Sequence, residues 1–339
     1  MGILSRLSSS DNRLLARAGF WLSEIYRSRH LLFGLVERDF KGRYRNSVLG
    51  YAWHALLPII LILIYYLVFS TVFGKDIRDY WAYLSLGVFS FTFFLQCATG
   101  GMNCVVGNKG MVTKMYFPRE ILVFSVVLNA LLTFVISYAI LISAMAVMRV
   151  PMDAVSLLFI PVALVLETAF ALGIAFFLGA VSVYSRDTMY ALGRVLPFLM
   201  FVTPIMYTIY IDNPTLQVVL ALNPMTYYVE MFHDSIYYCI LPDLRMVVIG
   251  TLFAMLSLMV GFYVFKRLEK GFAERLRWTL ATASRSAASA SPSTLSAPWT
   301  VTGRTSAGRS SDRWTWTSGR ASAWVWSAAT APGRARCSS

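Results

Sequence analysis

Charged residues are scarce in this chain of 339 residues. Asp, Glu, Lys and Arg make up 14% of it and 57% of its residues are hydrophobic, whereas a soluble globular domain carries about 25% charged residues. The scarcity argues against a soluble protein and predicts a membrane protein. The net charge is +13, but the basic residues lie beside apolar segments. We therefore expect them to meet anionic membrane lipids and to set topology, and not to bind nucleic acid.

Catalytic and nucleotide-binding motifs are absent from the sequence. There is no GxxxxGKS/T phosphate loop, and the short Gly107–Gly110 stretch is no substitute, so we do not expect this chain to bind and hydrolyse ATP. GxSxG and HExxH motifs are missing too. The three histidines (His30, His54 and His233) and the four cysteines lack metal-site spacing. We predict a protein that is not an enzyme and that binds no cofactor or metal itself.

Long apolar runs are abundant, in contrast. A helix needs about 20 mainly apolar residues to cross a membrane, and six segments meet or approach that length. They are predicted at about 51–73, 81–104, 121–148, 154–181, 195–211 and 246–265. The sequence therefore predicts an all-α membrane protein. We expect a cytoplasmic arm and interfacial helix over 1–50, followed by a six-span domain over 51–277.

Basic residues are distributed unequally between the loops. With the last 59 residues set aside, nineteen Lys and Arg lie in the N-terminal arm, the 105–120 and 182–194 loops and the stretch after 265. The loops on the other side hold four: Lys75, Arg78, Arg149 and Arg245. Since Lys and Arg concentrate on the cytoplasmic side, we predict a multi-pass protein of the cytoplasmic (inner) membrane with both termini in the cytoplasm.

The loop between the fifth and sixth predicted spans is unusually apolar. Leu216–Leu222 and Met225–Ile240 are each too short to cross the membrane, and Asn223-Pro224 separates them. Non-helical backbone at membrane depth must face protein or a water-filled cavity. We predict two short re-entrant helices broken at Asn-Pro. A helix resting on the bilayer surface is the alternative.

Residues 278–339 differ in composition from everything before them. From residue 281 onward there are seven Arg, no Lys and a single acid, Asp312, among long runs of Ala, Ser and Thr. Such a composition cannot build a hydrophobic core. We predict that this tail is disordered or is the product of a shifted reading frame, and we assign it no function.

The segment 31–48 is basic and amphipathic and leads directly into the first predicted span. As a helix it places Arg38, Lys41 and Arg45 on one face, with apolar residues around another. Such a helix is expected to lie in the inner membrane interface. Its cations either fix topology alone or also contact a phosphate-bearing lipid substrate or a cytoplasmic partner.

Two features inside the spans are candidates for function. Four side chains, His54, Tyr65, Phe69 and Phe73, recur on one face of the first predicted span. They either anchor and pack the helix or line a conduit, since sugar rings can stack on aromatic faces. Glu167 is the one acid inside a predicted span. An intramembrane acid marks either a transport pathway or a buried hydrogen-bonded pair.

Five stretches carry a resemblance to a known family. They are RDFKGRYRNSVLGYAWHALLPIILILIYYLVFS from Arg38, KGMVTKMYFPRE (Lys109–Glu120), Tyr184–Asp187 leading to Thr203–Tyr207, Asn223–Glu230, and Lys266–Glu274. In this order and spacing, the chain over about 30–277 resembles the membrane permease of ABC-type exporters of O-antigen, capsule and teichoic-acid precursors. It departs from the family at His233, where an Arg is expected.

The resemblance implies an assembly and a cargo. The permease would be a homodimer bound to two copies of an ATP-binding subunit, with ATP and Mg on that partner. It would export a lipid-linked glycan. Three sets of residues carry over by position: Arg38, Lys41 and Arg45 at the entrance for a lipid diphosphate; Lys114, Phe117, Pro118 and Arg119 in coupling to the ATPase; and Tyr227, Tyr228 and Glu230 in an external gate.

Two alternatives stay open at this stage. A permease for a drug or small lipid would need no wide aromatic conduit, so it would tolerate aliphatic replacement of Tyr65 and Phe69. A membrane enzyme acting on lipid-linked sugars would turn over as the purified chain, without ATP or a second subunit.

Overall fold

The structure is a computed structural model. It describes residues 27–42, 79–209 and 213–272, Glu274 and Arg275, and a few residues between 56 and 68. All of them belong to a compact unit that comprises Met1–Ala288, and a second unit comprises Ser289–Ser339. The described residues form helices, turns and short connections, and these ranges contain no strand. The all-α prediction is confirmed for this part of the chain, whereas the 278–339 tail lies outside it.

The described helices follow one another with short connections. In chain order they are α1 (Arg29–Gly42), α2 (Tyr80–Gly107), α3 (Lys109–Lys114), α4 (Glu120–Val147), α5 (Ala154–Leu157), α6 (Ile160–Tyr184), α7 (Arg186–Val195), α8 (Leu199–Val202), α9 (Pro214–Leu222), α10 (Pro224–Phe232) and α11 (Leu244–Glu269). A 3-10 turn, Leu196–Phe198, joins α7 to α8, and a π-helix, His233–Tyr237, follows α10.

Four stretches are long and apolar enough to cross a membrane: α2, α4, α5 with α6 (Ala154–Tyr184), and α11. They coincide with the second, third, fourth and sixth predicted spans, because each is a long, mainly apolar run, and α2, α4 and α11 contain no proline. Pro161 lies in the first turn of α6, where a helix needs no donor from its backbone nitrogen. Lys266 and Arg267 lie in the last turn of α11, which suits the helix dipole.

The predicted fifth span, 195–211, is not a single helix. The helical backbone that begins with α7 ends at Val202, and Thr203 adopts an extended conformation. Pro204 explains this end, because a proline disfavours helical backbone in the preceding residue and cannot continue the hydrogen-bond ladder. The Thr203 hydroxyl donates to the carbonyl of Leu199 at 2.9 Å. The first predicted span, 51–73, lies mostly outside the described residues.

The core is built around α2. This helix packs against both α4 and α6, and its aromatic side chains Phe91, Phe93 and Phe94 are buried between them. α11 packs mainly against α6, at a crossing where a Cβ on Gly261 would overlap the carbonyl oxygen of Gly173. Close approach at small residues is a common way for membrane helices to associate. This crossing therefore brings the backbones of α6 and α11 into direct contact.

The apolar loop before α11 forms two short helices, α9 and α10, as its sequence predicts. Each begins with a proline preceded by an asparagine cap. The Asn213 side chain accepts from the backbone nitrogen of Thr215 at 3.0 Å, and that of Asn223 accepts from Met225 at 3.1 Å. Asparagine is a favoured N-cap and proline a favoured first helical residue. The break at Asn223-Pro224 is thus confirmed, and the depth of the pair in the membrane stays a prediction.

Candidate functional site

The connection between α2 and α4, residues 108–118 and called here the projecting segment, contains a group of exposed side chains. Lys114, Met115 and Tyr116 are exposed, and Tyr116 is 99% accessible. Phe117 and Pro118 follow and are half-buried. Of the predicted ATPase-coupling residues, Lys114 therefore belongs to the exposed surface, whereas Phe117 and Pro118 partly pack against the protein. Sequence reasoning missed Met115 and Tyr116, because nothing in a loop sequence shows which side chain faces outward.

Arg119, the fourth predicted coupling residue, turns inward. Its guanidinium donates from Nη1 to the backbone oxygen of Glu269, the last residue of α11. The central carbon of this guanidinium, Cζ, lies 5.9 Å from the centre of the buried Phe272 ring. A donor at this place satisfies a carbonyl that the end of a helix leaves free, and a cation suits the helix dipole there. Arg119 thus connects the projecting segment to α11.

An ion pair between a buried carboxylate and a half-buried lysine lies directly beside this contact. Glu120 is the first residue of α4 and is 2% exposed, and its carboxylate pairs with Lys266 in the last turn of α11. The Lys266 amine also lies 2.8 Å from Oε2 of Glu269. Removing one partner of a buried pair leaves an uncompensated charge and strongly destabilises a protein. The start of α4 and the end of α11 are therefore held together electrostatically.

The end of α6 reaches the same place. The Tyr184 hydroxyl donates to the carbonyl of Leu268 at 2.9 Å, and the Arg275 guanidinium lies 5.5 Å from the centre of the Tyr184 ring. A Cβ on Gly271 would overlap the Tyr184 hydroxyl, so only glycine leaves room for this contact. Three elements, α4, α6 and α11, thus converge at the end of α11.

The helix α1 packs against the protein by an apolar side, and its predicted position in the membrane interface stays a prediction. Leu35 and Val36 on this side are buried, and α1 packs against α4. Arg38 donates from Nη2 to Oδ1 of Asn108 at 3.0 Å and from Nε to Asp39 at 2.8 Å. Asn108 stands between α2 and α3, so Arg38 ties α1 to the base of the projecting segment.

The other predicted entrance cations differ from Arg38. Lys41 is exposed and pairs with Glu37 one turn earlier on α1. The hydrogen bond from Lys41, and then its charge, lower the pKa of the Glu37 carboxyl below its ordinary value. An exposed pair of this kind is readily exchanged for another anion, since such pairs contribute little to stability. Arg45 lies outside the described residues, as do the predicted conduit residues His54, Tyr65, Phe69 and Phe73.

The predicted gate residues lie on α10 and contact their neighbours closely. Tyr228 is fully buried and donates through its hydroxyl to the carbonyl of Gly250 in α11 at 2.7 Å. Tyr227 donates to the carbonyl of Ala221 in α9 at 2.8 Å, and its ring lies 5.8 Å from that of Phe253 in α11. The two tyrosines thus fix α10 against both α9 and α11.

Glu230, the third predicted gate residue, lies in a buried polar cluster with His233. The His233 ring stacks on Tyr83 of α2 with centroids 3.8 Å apart, and its Nε2 lies 3.0 Å from the Tyr83 carbonyl. Nε2 must therefore carry a proton, since a carbonyl only accepts. Nδ1 lies 3.9 Å from a Glu230 carboxylate oxygen. At the position where the resemblance leads us to expect an arginine, His233 thus lies beside Glu230 and stacks on α2.

The intramembrane acid Glu167 has a specific partner. It is fully buried in α6, and its Oε1 accepts a hydrogen bond from the Ser90 hydroxyl of α2 at 2.8 Å. No ion pair to Glu167 occurs among the described residues. The hydrogen bond joins α2 and α6 in the core. This favours a structural role for Glu167, as a buried hydrogen-bonded partner, over a role in the transport pathway.

Comparison with known proteins decides the family. Residues 30–237, from α1 to the end of the π-helix, match the model of a membrane-domain family described as ABC-2 type transporter. The chain belongs to the ABC-2 type transporter family. It is therefore a multi-pass transporter permease and not an enzyme, and transporters of this family work with an ATP-binding subunit.

Relatives of this ABC-2 permease have matching names. The O-antigen export system permease protein RfbA of Myxococcus xanthus is 30% identical over 256 residues, which cover 75% of this chain and 98% of that protein. Two Klebsiella pneumoniae proteins of the same name are 26% and 25% identical over 248 residues, which cover 73% of this chain and 95% of each. The chain thus matches these permeases along nearly their whole length.

Proposed function

We propose that the chain is the membrane subunit of an ATP-driven exporter. Its cargo is a lipid-linked polysaccharide of the O-antigen, capsule or teichoic-acid type, which it moves across the cytoplasmic membrane. The observation that carries this proposal is the match to an O-antigen export permease over 98% of that protein. A permease for a drug or small lipid has no comparable support.

In the proposed assembly two copies of this chain bind two copies of an ATP-binding subunit. ATP and Mg are held by that partner, and this chain binds no cofactor. The support is the ABC-2 family match together with a sequence that contains no phosphate loop. The lipid-linked glycan and the surrounding membrane lipids are the other partners.

The proposed topology has six crossings and both termini in the cytoplasm. The four described apolar stretches supply four crossings, and the segments near 51–73 and 195–211 supply the others, the latter with a break after Val202. The projecting segment and the end of α11 then face the cytoplasm, while α9 and α10 face outward as re-entrant helices. This orientation is supported by the excess of Lys and Arg in the loops assigned to the cytoplasm.

In this orientation the projecting segment is the contact for the ATP-binding subunit. Lys114, Met115 and Tyr116 combine a cation, a flexible apolar side chain and an exposed aromatic ring. Aromatic residues and methionine are enriched in protein interfaces. Phe117 and Pro118 support the projection from behind, and Arg119 connects it to α11.

The cations of α1 and its continuation form the proposed entrance for the lipid diphosphate. Its proposed cations are Arg38, Lys41 and Arg45. Arg38 contacts Asn108 and Asp39, Lys41 contacts Glu37, and Arg45 lies outside the described residues. Phosphate groups on a lipid carrier attract exposed Lys and Arg at the membrane surface. At the outer end Tyr227, Tyr228 and Glu230 form the gate.

The proposal is tested in cells that lack this chain. We expect such cells to lose the surface glycan and to accumulate the lipid-linked glycan on the cytoplasmic side. Expression of the chain with its ATP-binding subunit should restore surface glycan, whereas an ATPase-inactive partner should not. Normal surface glycan in cells without the chain would contradict the proposal.

A further inference from the structure

α11 contacts both of the regions that an ATP-driven exporter must connect. In its last turn Lys266 pairs with Glu120, and the Glu269 carbonyl accepts a hydrogen bond from Arg119. Arg119 and Glu120 directly follow the projecting segment. It is one continuous helix from Leu244 to Glu269. At a rise of 1.5 Å per residue its 26 residues extend about 39 Å.

The amino-terminal half of α11 supports the gate helix α10. Its Gly250 carbonyl accepts the Tyr228 hydroxyl at 2.7 Å. A Cβ on Gly250 would lie 2.8 Å from the terminal methyl carbon of Met231, so α10 rests directly on the α11 backbone. A shift of α11 along or about its axis would therefore change the surface against which α10 packs.

The contact with α6 keeps α11 rigid between these two places. Gly173 and Gly261 bring the two backbones together, and the Ser257 hydroxyl donates to the Phe170 carbonyl at 2.9 Å. A helix packed in this way moves as a unit, because packed cores shift between discrete arrangements and do not deform continuously.

We propose that Glu120 and Lys266 are positioning residues that make α11 follow the projecting segment, so that ATP-driven displacement of this segment reaches the gate helix α10. The inference rests on the proposed function for its driving step. The ion pair is suited to this task because it joins the first residue of α4, two residues after the half-buried Pro118, to the end of α11. Glu269 holds Lys266 from the other side and fixes its position.

The test separates linkage from stability. The single variant Lys266→Met leaves the buried Glu120 carboxylate without its cation, so a loss of folded protein would explain any defect. The double variant Glu120→Gln with Lys266→Met removes both charges at once. Replacing an ion pair by neutral groups of similar volume is often neutral or stabilising, and the Glu269 carboxylate that also loses Lys266 is half-buried. The double variant is therefore expected to assemble normally without the Glu120–Lys266 pair.

The gate is followed with a reporter cysteine at Leu222, which lies on α9 beside the Asn223 break and is exposed. Cys239 and Cys337 are replaced by serine in this background. The complete complex with its ATP-binding subunit is placed in lipid nanodiscs, which leave both membrane faces open to ATP and to the labelling reagent. The rate of modification by a membrane-impermeant maleimide is then measured with and without ATP, together with ATP hydrolysis.

We expect ATP to change the rate of maleimide modification in the wild-type background. In the double variant this ATP-dependent change should be about tenfold smaller, a typical size for coupling between two sites. ATP hydrolysis should continue. Lys266→Arg keeps the charge and should retain the response. Lys270→Met removes an exposed cation at the same helix end and should also retain it.

Two results would overturn the inference. One is a double variant whose gate response equals that of the wild type. The other is a wild-type complex that hydrolyses ATP without any change at the reporter. Glycan transport, measured with the same complexes in sealed inside-out vesicles, tests the proposed function separately. An ATP-dependent gate response without glycan transport would contradict the cargo and leave the linkage standing.

Discussion

The two ends of α11 are held by different kinds of contact. At the carboxyl-terminal end the contacts are charged or strongly polar, from Glu120 and Arg119. In the amino-terminal half they are aromatic and depend on close packing, from Tyr228 against Gly250. A charged contact can be broken by neutralising a side chain at constant volume, whereas a packed contact is broken by a change of volume. The comparison therefore shows which substitution should affect which end.

The largest expected effect comes from the crossing that both ends share. Gly261→Val would push a side chain into the Gly173 carbonyl, and overpacking a tight contact costs about 1–3 kcal/mol or more. We expect the amount of folded permease in the membrane to fall sharply. It is measured as the yield of protein that stays monodisperse after extraction in detergent. Gly193→Val is the matched control, because a Cβ at Gly193 meets nothing within 4 Å. Equal yields for the two variants would remove the evidence for a rigid α6–α11 pair.

At the packed end, Tyr228→Ala should cost about 3–5 kcal/mol, since it empties a fully buried aromatic site. Tyr228→Phe keeps the ring and loses one hydrogen bond, which costs about 1 kcal/mol. Thermal unfolding of the purified permease measures both. If Tyr228→Phe were as damaging as Tyr228→Ala, the hydrogen bond and not the packing would dominate this end.

At the charged end, Arg119→Glu is expected to abolish surface glycan while the protein still inserts in the membrane. The new carboxylate would face the Glu269 carbonyl and the dipole of α11, both of which repel an anion. Arg119→Lys keeps a cation and should export at a reduced level. Surface glycan and membrane-inserted protein are quantified together, and normal display in Arg119→Glu would refute a coupling role for this residue.

A smaller and more local effect is expected at the projecting segment. Tyr116→Ala should weaken binding of the ATP-binding subunit without changing the thermal stability of the permease alone, because the side chain is almost fully exposed. Truncating an aromatic anchor in an interface costs about 2 kcal/mol or more. Tyr190→Ala, at an exposed tyrosine of α7, is the control. Affinity is measured between purified subunits, and equal affinities would place the contact elsewhere.

The smallest effect is expected away from both ends, at Glu167. Glu167→Gln keeps an oxygen to accept from Ser90 and introduces no charge, so export and stability should stay near those of the wild type. Glu167→Leu removes the acceptor and leaves the Ser90 hydroxyl buried without it, at a cost of about 1–3 kcal/mol. Loss of export in Glu167→Gln with normal stability would instead favour a role for this acid in the transport pathway.

The sequence predicted the parts of the fold that depend on local composition. The helices α2, α4, α6 and α11 lie where the apolar runs are, and the break between α9 and α10 lies at Asn223-Pro224. The predicted fifth span was wrong as a single helix, because hydropathy alone does not register that Pro204 ends the helical backbone after Val202.

The site was less predictable because its contacts join residues far apart in the chain. Glu120 was part of a stretch singled out from sequence, but its partner Lys266 comes from the last span. Composition predicts that Lys266 lies near the cytoplasmic surface and gives no reason to pair it with Glu120. The inward orientation of Arg119 and the outward one of Tyr116 likewise depend on tertiary packing.

The most direct test of the account is transport in inside-out vesicles that contain the full complex. Labelled lipid-linked glycan is supplied on the outer face of these vesicles, which corresponds to the cytoplasm, and its protection from a glycan-degrading enzyme is followed after ATP is added. We expect protection of the labelled glycan that depends on ATP, on this chain and on an active partner ATPase. ATP hydrolysis by the complete complex with no protected glycan would contradict it.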